Sequence, residues 1–89
     1  AYAISDATAA RVKIGRTRSV ETRLQSLQTS HPEALQVLWR ERGGAELEAH
    51  LHTRFASRRI RGEWFDFAGV DAAKLIAMAA ASFVVGEGV

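Results

Sequence analysis

The chain contains no cysteine, a single proline and a single tyrosine. Without cysteine it can form neither disulfides nor thiolate metal sites, and a reducing, cytoplasmic location is the expectation. No apolar run approaches the ~20 residues needed to span a bilayer, so no membrane partner is expected. Internal repeats and low-complexity segments are missing as well, which sets aside solenoids and disordered tails. The sequence opens Ala1-Tyr2-Ala3-Ile4, with neither an initiator Met nor a secretory pattern. The expectation is a domain taken from a longer parent chain that carries further domains.

What is present is ordinary for a folded domain: 89 residues, 47% of them hydrophobic and 25% charged. That length predicts one domain over 1–89, with a core over about 1–67 and a closing helix over about 71–85. The formal net charge is only +2, but every lysine and arginine except Lys74 falls between Arg11 and Arg61. Such a distribution points to a phosphate-bearing partner as readily as to a solvated surface.

Tyr2-Ala3-Ile4 reads as a short strand and Ser5-Asp6-Ala7-Thr8 as a polar turn. Arg11 to Gly15 returns as a second strand, with Val12 and Ile14 on one face and Lys13 on the other. Gly15 ends the alternation where the chain bends, or where another backbone or a ligand comes close. A helix over 19–28 follows, N-capped by Ser19 and with Glu21 near the positive end of the dipole. Val20, Leu24 and Leu27 give it a buried stripe, and Arg23 falls on the flank of that stripe. Pro32 ends this unit, and Leu35 to Trp39 forms a third strand.

Gly43-Gly44 opens a second helix over about 45–56, with Leu47, Leu51 and Phe55 facing inward. Glu48 and His52 run along the flank of that stripe, while Glu46 projects to solvent. A basic loop over 57–62 leads into Glu63-Trp64-Phe65-Asp66-Phe67, an extended segment whose rings read as core. Asp71 caps a last helix whose wide apolar face runs from Ala72 to Val84, with Gly86-Glu87-Gly88 at its end. The fold class is therefore α+β: a small central antiparallel sheet in a β-β-α-β-α order, an added aromatic strand or loop, flanking helices and a C-terminal helix.

Taken singly, the polar residues have plain structural meanings. Lys13 reads as an exposed strand residue, and Arg23 as a stem covering the core edge. Glu48 with His52 reads as an i, i+4 helix-surface pair. His50 and His52 diverge on a helix and make a poor metal pair, and His31 before Pro32 reads as a loop residue. One ring among Trp64, Phe65 and Phe67 could stack on a base.

Taken in order, they form a pattern. Tyr2-x-Ile4, Lys13-Ile14-Gly15, Arg23-Leu24, Leu47-Glu48-x-x-Leu51-His52 and Gly62-Glu63-Trp64-Phe65 together resemble the GIY-YIG nuclease superfamily, most of all its T5orf172 or Mug113-like branch. The resemblance covers Tyr2 to about Phe67. It implies a DNA endonuclease in which a water attacks a phosphodiester and one divalent metal, magnesium by expectation, stabilises the leaving side. The alternatives are a DNA-binding module on the same scaffold without catalysis and a protein-interaction domain that uses the apolar last helix.

Carried over by position, Tyr2 matches the tyrosine of the first motif half. Lys13 stands in place of the first tyrosine of the second half, Arg23 matches the helical arginine, and Glu48 the metal-binding glutamate. His52 joins them as a catalytic candidate. Arg16, Arg18, Arg58, Arg59 and Arg61 are the candidate DNA contacts. Ala1 stands where the family has isoleucine, and no residue matches the late asparagine of many relatives; Glu63 and Trp64 fall near its place. The chemistry suits these residue types, since a guanidinium grips phosphate in two places and a magnesium ion takes few protein ligands. Whether Lys13 or Tyr2 would take the proton of the water stays open at this level.

If the arginines meet phosphates, duplex DNA affinity should fall by roughly one log unit per log unit of salt for each phosphate neutralised. Filter-binding titrations over a range of salt concentrations measure that slope, and a flat response would remove DNA as partner.

Overall fold

The structure, a computed structural model, describes residues 1–83. Along the chain run β1 (Tyr2–Asp6), β2 (Arg11–Gly15), α1 (Val20–Gln28), β3 (Leu35–Arg40), α2 (Ala45–Arg54), a 3-10 turn (Ala56–Arg58), β4 (Arg59–Arg61), β5 (Trp64–Asp66) and α3 (Ala72–Ala81). The strands form one antiparallel sheet in the order β3-β1-β2-β5-β4. The fold is α+β with a C-terminal helix, as the sequence predicts.

The β1–β2 hairpin is closed by Asp6, whose carboxylate accepts from the Thr8 backbone N–H at 2.9 Å and the Thr8 hydroxyl at 2.6 Å. Its register sets Tyr2 opposite Gly15 and Ile4 opposite Lys13. Alternation then puts Tyr2, Ile4 and Lys13 on one face of the sheet, and Ala3, Ser5, Val12 and Ile14 on the other. The second face carries the main core. Val12, Ile14, Phe65 and Phe67 pack there with Leu47, Leu51 and Phe55, and with Ala72, Ile76, Ala79 and Ala80. Phe55 meets Phe67 edge-on at 5.0 Å. A hydrogen bond at 3.0 Å joins the His50 Nε2 to the Ala79 carbonyl, tying α2 to α3. Both flanking helices with polar N-caps are closed as expected: Ser19 accepts from the Thr22 N–H and Asp71 from the Lys74 N–H.

Four expectations need correction. The Val20, Leu24 and Leu27 stripe is only half-buried, because α1 lies along β3, the edge strand of the sheet. Trp64 is half-buried rather than core, since strand alternation sends Phe65 to the packed face and Trp64 to the opposite one. The basic loop is in part the strand β4, paired with β5 through a turn in which Gly62 takes φ +54°. An exposed edge strand rich in arginine is protected against pairing with other chains, which is why it reads as a loop. The helices are shorter than expected, the second stopping at Arg54 instead of 56 and the last at Ala81 instead of about 85. Val84 and Gly86-Glu87-Gly88 lie outside the described residues. Among those residues no helix is long and apolar enough to cross a membrane.

Phe65→Ala should cost about 3–5 kcal/mol, since a fully buried ring is lost from a packed face. The exposed Met78→Ser change should stay within about 0.5 kcal/mol. Urea unfolding of both variants measures the difference, and equal midpoints would deny Phe65 its place in the core.

Candidate active site

The site is built on Tyr2. Its side chain is 1% exposed and its hydroxyl lies over Gly15, where a Cβ would fall 2.7 Å from the phenol oxygen and 3.0 Å from a Glu63 carboxylate oxygen. Gly15 is thus required by close approach, the second of the two reasons the sequence offered. From α1, the Arg23 Nε donates to the Tyr2 hydroxyl at 3.3 Å. The flank position of Arg23 beside its apolar stripe is what lets it reach the sheet. Burial pushes the Tyr2 phenol above its ordinary pKa, against the lowering by Arg23, and the charges of Glu63 and Glu48 add to the rise.

Glu63 enters through the Gly62 turn. Its backbone carbonyl accepts from the Ile14 N–H at 2.9 Å, and its carboxylate pairs with the Lys13 ammonium at 3.3 Å. The same ammonium lies 5.5 Å from the centre of the Trp64 ring. Glu63 thus pairs with Lys13, and its carboxylate and the Tyr2 hydroxyl both border the space above Gly15. The sequence placed it near a family position without giving it a role; the signal was the Gly62-Glu63-Trp64-Phe65 motif itself.

Glu48 comes from the first turn of α2 and is 17% exposed in its side chain. One carboxylate oxygen faces the Arg16 Nε at 3.6 Å, while the other, Oε2, is buried without a hydrogen-bond partner. A buried carboxylate oxygen left unpaired is costly unless something else binds it. His52, one turn further on, is held at both ring nitrogens. Its Nδ1 accepts from the Arg59 guanidinium at 3.0 Å, because a guanidinium can only donate. Its Nε2 therefore carries the proton and donates to the Ile14 carbonyl at 2.8 Å.

The arginines separate. Arg16 and Arg18 sit on the loop between β2 and α1, and Arg18 borders a cavity of about 530 Å³ together with Arg40 and Arg42. Arg59 turns to His52 and stacks over Phe65 at 5.5 Å. Arg58 stacks over Phe67 at 5.2 Å. Arg61, opposite Trp64 in the ladder, lies on the other face of the sheet with Arg11. Arg40 and Arg42 were not singled out in the sequence, because only the meeting of β3 with the loop after Gly15 brings them beside Arg18.

As Tyr2 is the chain's single tyrosine, its ionisation can be read directly from phenolate absorbance. Its titration midpoint should lie above the ordinary ~10 in the folded protein and return to ordinary values in denaturant. The folded phenol then keeps its proton longer than the unfolded one. Its contribution to stability is whole below about pH 10 and is lost as pH rises from there through the folded value. A folded midpoint at or below that of the unfolded chain would contradict the burial of Tyr2.

The family model of the T5orf172 domain matches residues 1–81, from the first strand to the end of α3. It supports a nuclease-like or DNA-binding module. No curated protein and no solved structure matches the chain. With all but the last few residues covered by that match, the chain belongs to the T5orf172 domain family, within the GIY-YIG-like nuclease branch.

Proposed function

We propose that the chain is an endonuclease that hydrolyses DNA phosphodiester bonds with one divalent cation, magnesium, held at Glu48. The observation that carries this reading is the buried, unpartnered Oε2 of Glu48 beside the Tyr2–Arg23–Glu63–Lys13 cluster. Among the described residues no group of three or more His, Cys, Asp or Glu could enclose a metal ion. A lone carboxylate suits a hard cation that keeps most of its waters, and does not suit zinc in a closed protein cage. When bound, such an ion supplies charge neutralisation to the leaving oxygen.

The remaining roles fall to the chain's own residues. Arg23 spends its Nε on Tyr2, which fixes the guanidinium and leaves its two terminal nitrogens for a phosphate. Tyr2, held as the neutral phenol at ordinary pH, orients a water or a phosphate oxygen by hydrogen bonding rather than taking a proton. The proton of the attacking water goes to the Lys13–Glu63 pair, whose oxygen base is the Glu63 carboxylate. The new P–O bond forms as the leaving oxygen departs with the electrons of the broken one. His52 acts as a positioning residue, anchoring α2 to β2 through the Ile14 carbonyl one turn from Glu48.

A second reading, a DNA-binding module that does not cut, is favoured by one observation: Lys13 and Glu63 neutralise each other at 3.3 Å.

Plasmid nicking with and without magnesium separates the two. Glu48→Gln should lower metal-dependent nicking by at least about 100-fold, where ~1.4 kcal/mol of barrier is tenfold in rate. Glu46→Gln, on the exposed side of the same helix, should nick at the parent rate. Salt-dependent binding by the parent protein with no nicking under any divalent cation would select the binding module instead.

A further inference from the structure

On the face of the sheet that carries Tyr2 and Lys13, α1 ends at Gln28, and a cavity of about 320 Å³ opens beyond it. Arg11, His31, Ile60, Arg61 and Trp64 form its walls, with Asp6 and Glu33 also lining it. The size lies within the range of small-molecule sites, about 300–1,000 Å³. Two rings meet there, His31 and Trp64, with centroids 5.6 Å apart and planes inclined by 41°. Ile60, on the edge strand β4, is 53% exposed.

The charges indicate what such a cavity prefers. Two arginines are balanced by two carboxylates, so the lining is no anion trap and a phosphate would meet Asp6 and Glu33 as readily as Arg11 and Arg61. Rings and an exposed isoleucine favour a flat, largely apolar body. Carboxylates accept from exocyclic amino groups, and guanidinium groups donate to ring nitrogens and carbonyls, which is the polar edge of a nucleobase. Bases stack on aromatic side chains once they are free of their own strand.

The position matters as much as the lining. Trp64 is shared, since the ammonium of Lys13 lies against its ring. Arg11 and Lys13 are two residues apart on one strand, about 7 Å, which is close to two stacked nucleotide rises of about 3.4 Å each. We propose that this cavity seats one unstacked nucleobase of the bound DNA strand, one or two nucleotides from the phosphate at Lys13, with Trp64 as the stacking ring. The inference deepens the nuclease reading and rests on it for the place of the reacting phosphate. An occupied seat confines that strand to a locally unpaired form near the cut.

The protein has two tryptophans, so Trp39→Phe leaves Trp64 as the only indole emitter. Without divalent metal, a short single-stranded oligonucleotide should quench that emission. An abasic deoxyribose-phosphate chain of the same length should not. On the parent protein, the affinity ratio between the two chains should favour the base-bearing one, and Trp64→Leu should reduce that ratio by about 5- to 150-fold. His31→Ala, a loop change away from the core, should reduce it in the same direction by a smaller factor. Equal quenching by both chains, or an unchanged ratio in both variants, overturns the seat. Magnesium-dependent nicking by a protein that shows no base-dependent quenching overturns the seat and leaves the nuclease standing. Base-dependent quenching in a protein that never nicks supports the seat and assigns it to a DNA-binding module.

Discussion

A phenol seated on a glycine is the contact on which the rest of this site depends. The Tyr2 hydroxyl occupies the space that any side chain at position 15 would fill. This works only because the β1–β2 register sets the two residues opposite each other. From that point the other groups follow. Arg23 can reach the hydroxyl because Ser19 caps α1 and fixes where its first turn begins. Glu63 comes close to Gly15 because Gly62 takes a left-handed conformation and turns β4 back as β5. A shift of one residue in the hairpin would put Tyr2 and Lys13 on opposite faces and part the phenol from Gly15.

The second organising contact is His52. Its two ring nitrogens join α2 to the Ile14 carbonyl and to Arg59, and its ring lies 5.0 Å from Phe65. Glu48, one turn earlier on the same helix, is thereby held at the end of the sheet where Gly15 gives way to Arg16. The tie also consumes one of the arginines that would otherwise be available to DNA. Within the site, Lys13 pairs with Glu63 and Arg16 with Glu48, while Arg23 donates to the neutral phenol of Tyr2. The pairing is incomplete at Glu48, where only one carboxylate oxygen faces Arg16 and the other is buried without a partner.

The two faces of the sheet carry different tasks. One is closed by α2 and α3 around aromatic and small apolar residues, and it supplies most of the burial that holds the fold. The other is covered only in part by the short α1. There Glu63, the Trp64 ring and the cavity beside His31 are open in part to solvent, while Tyr2 and Ile4 are buried. A rigid packed layer behind a partly open one is a common way to hold functional side chains still while leaving them accessible.

The sequence by itself determined the elements that depend on local chemistry. Alternation gave the β1–β2 hairpin, Ser19 and Asp71 gave the caps, the 3.6-residue period gave α2 and α3, and the ordered motif gave the family. Local rules also put Arg23 and Glu48 on the flanks of their helices, where both are found at the sheet. What they could not supply was the partner of each group. Glu63 is fifty residues from Lys13, and Arg59 meets His52 only because β4 adds to the sheet beyond β5. The strand β4 was hidden because its side chains are exposed arginines and an isoleucine, so hydrophobic alternation, the signal of a half-buried strand, is missing. The split of Arg59 and Arg61 to opposite faces follows from that pairing. Tertiary structure alone decided the meeting of Lys13 and Glu63, since it arises from the register of β2 with β5, strands distant in sequence, and no local pattern encodes which edge a short strand will join.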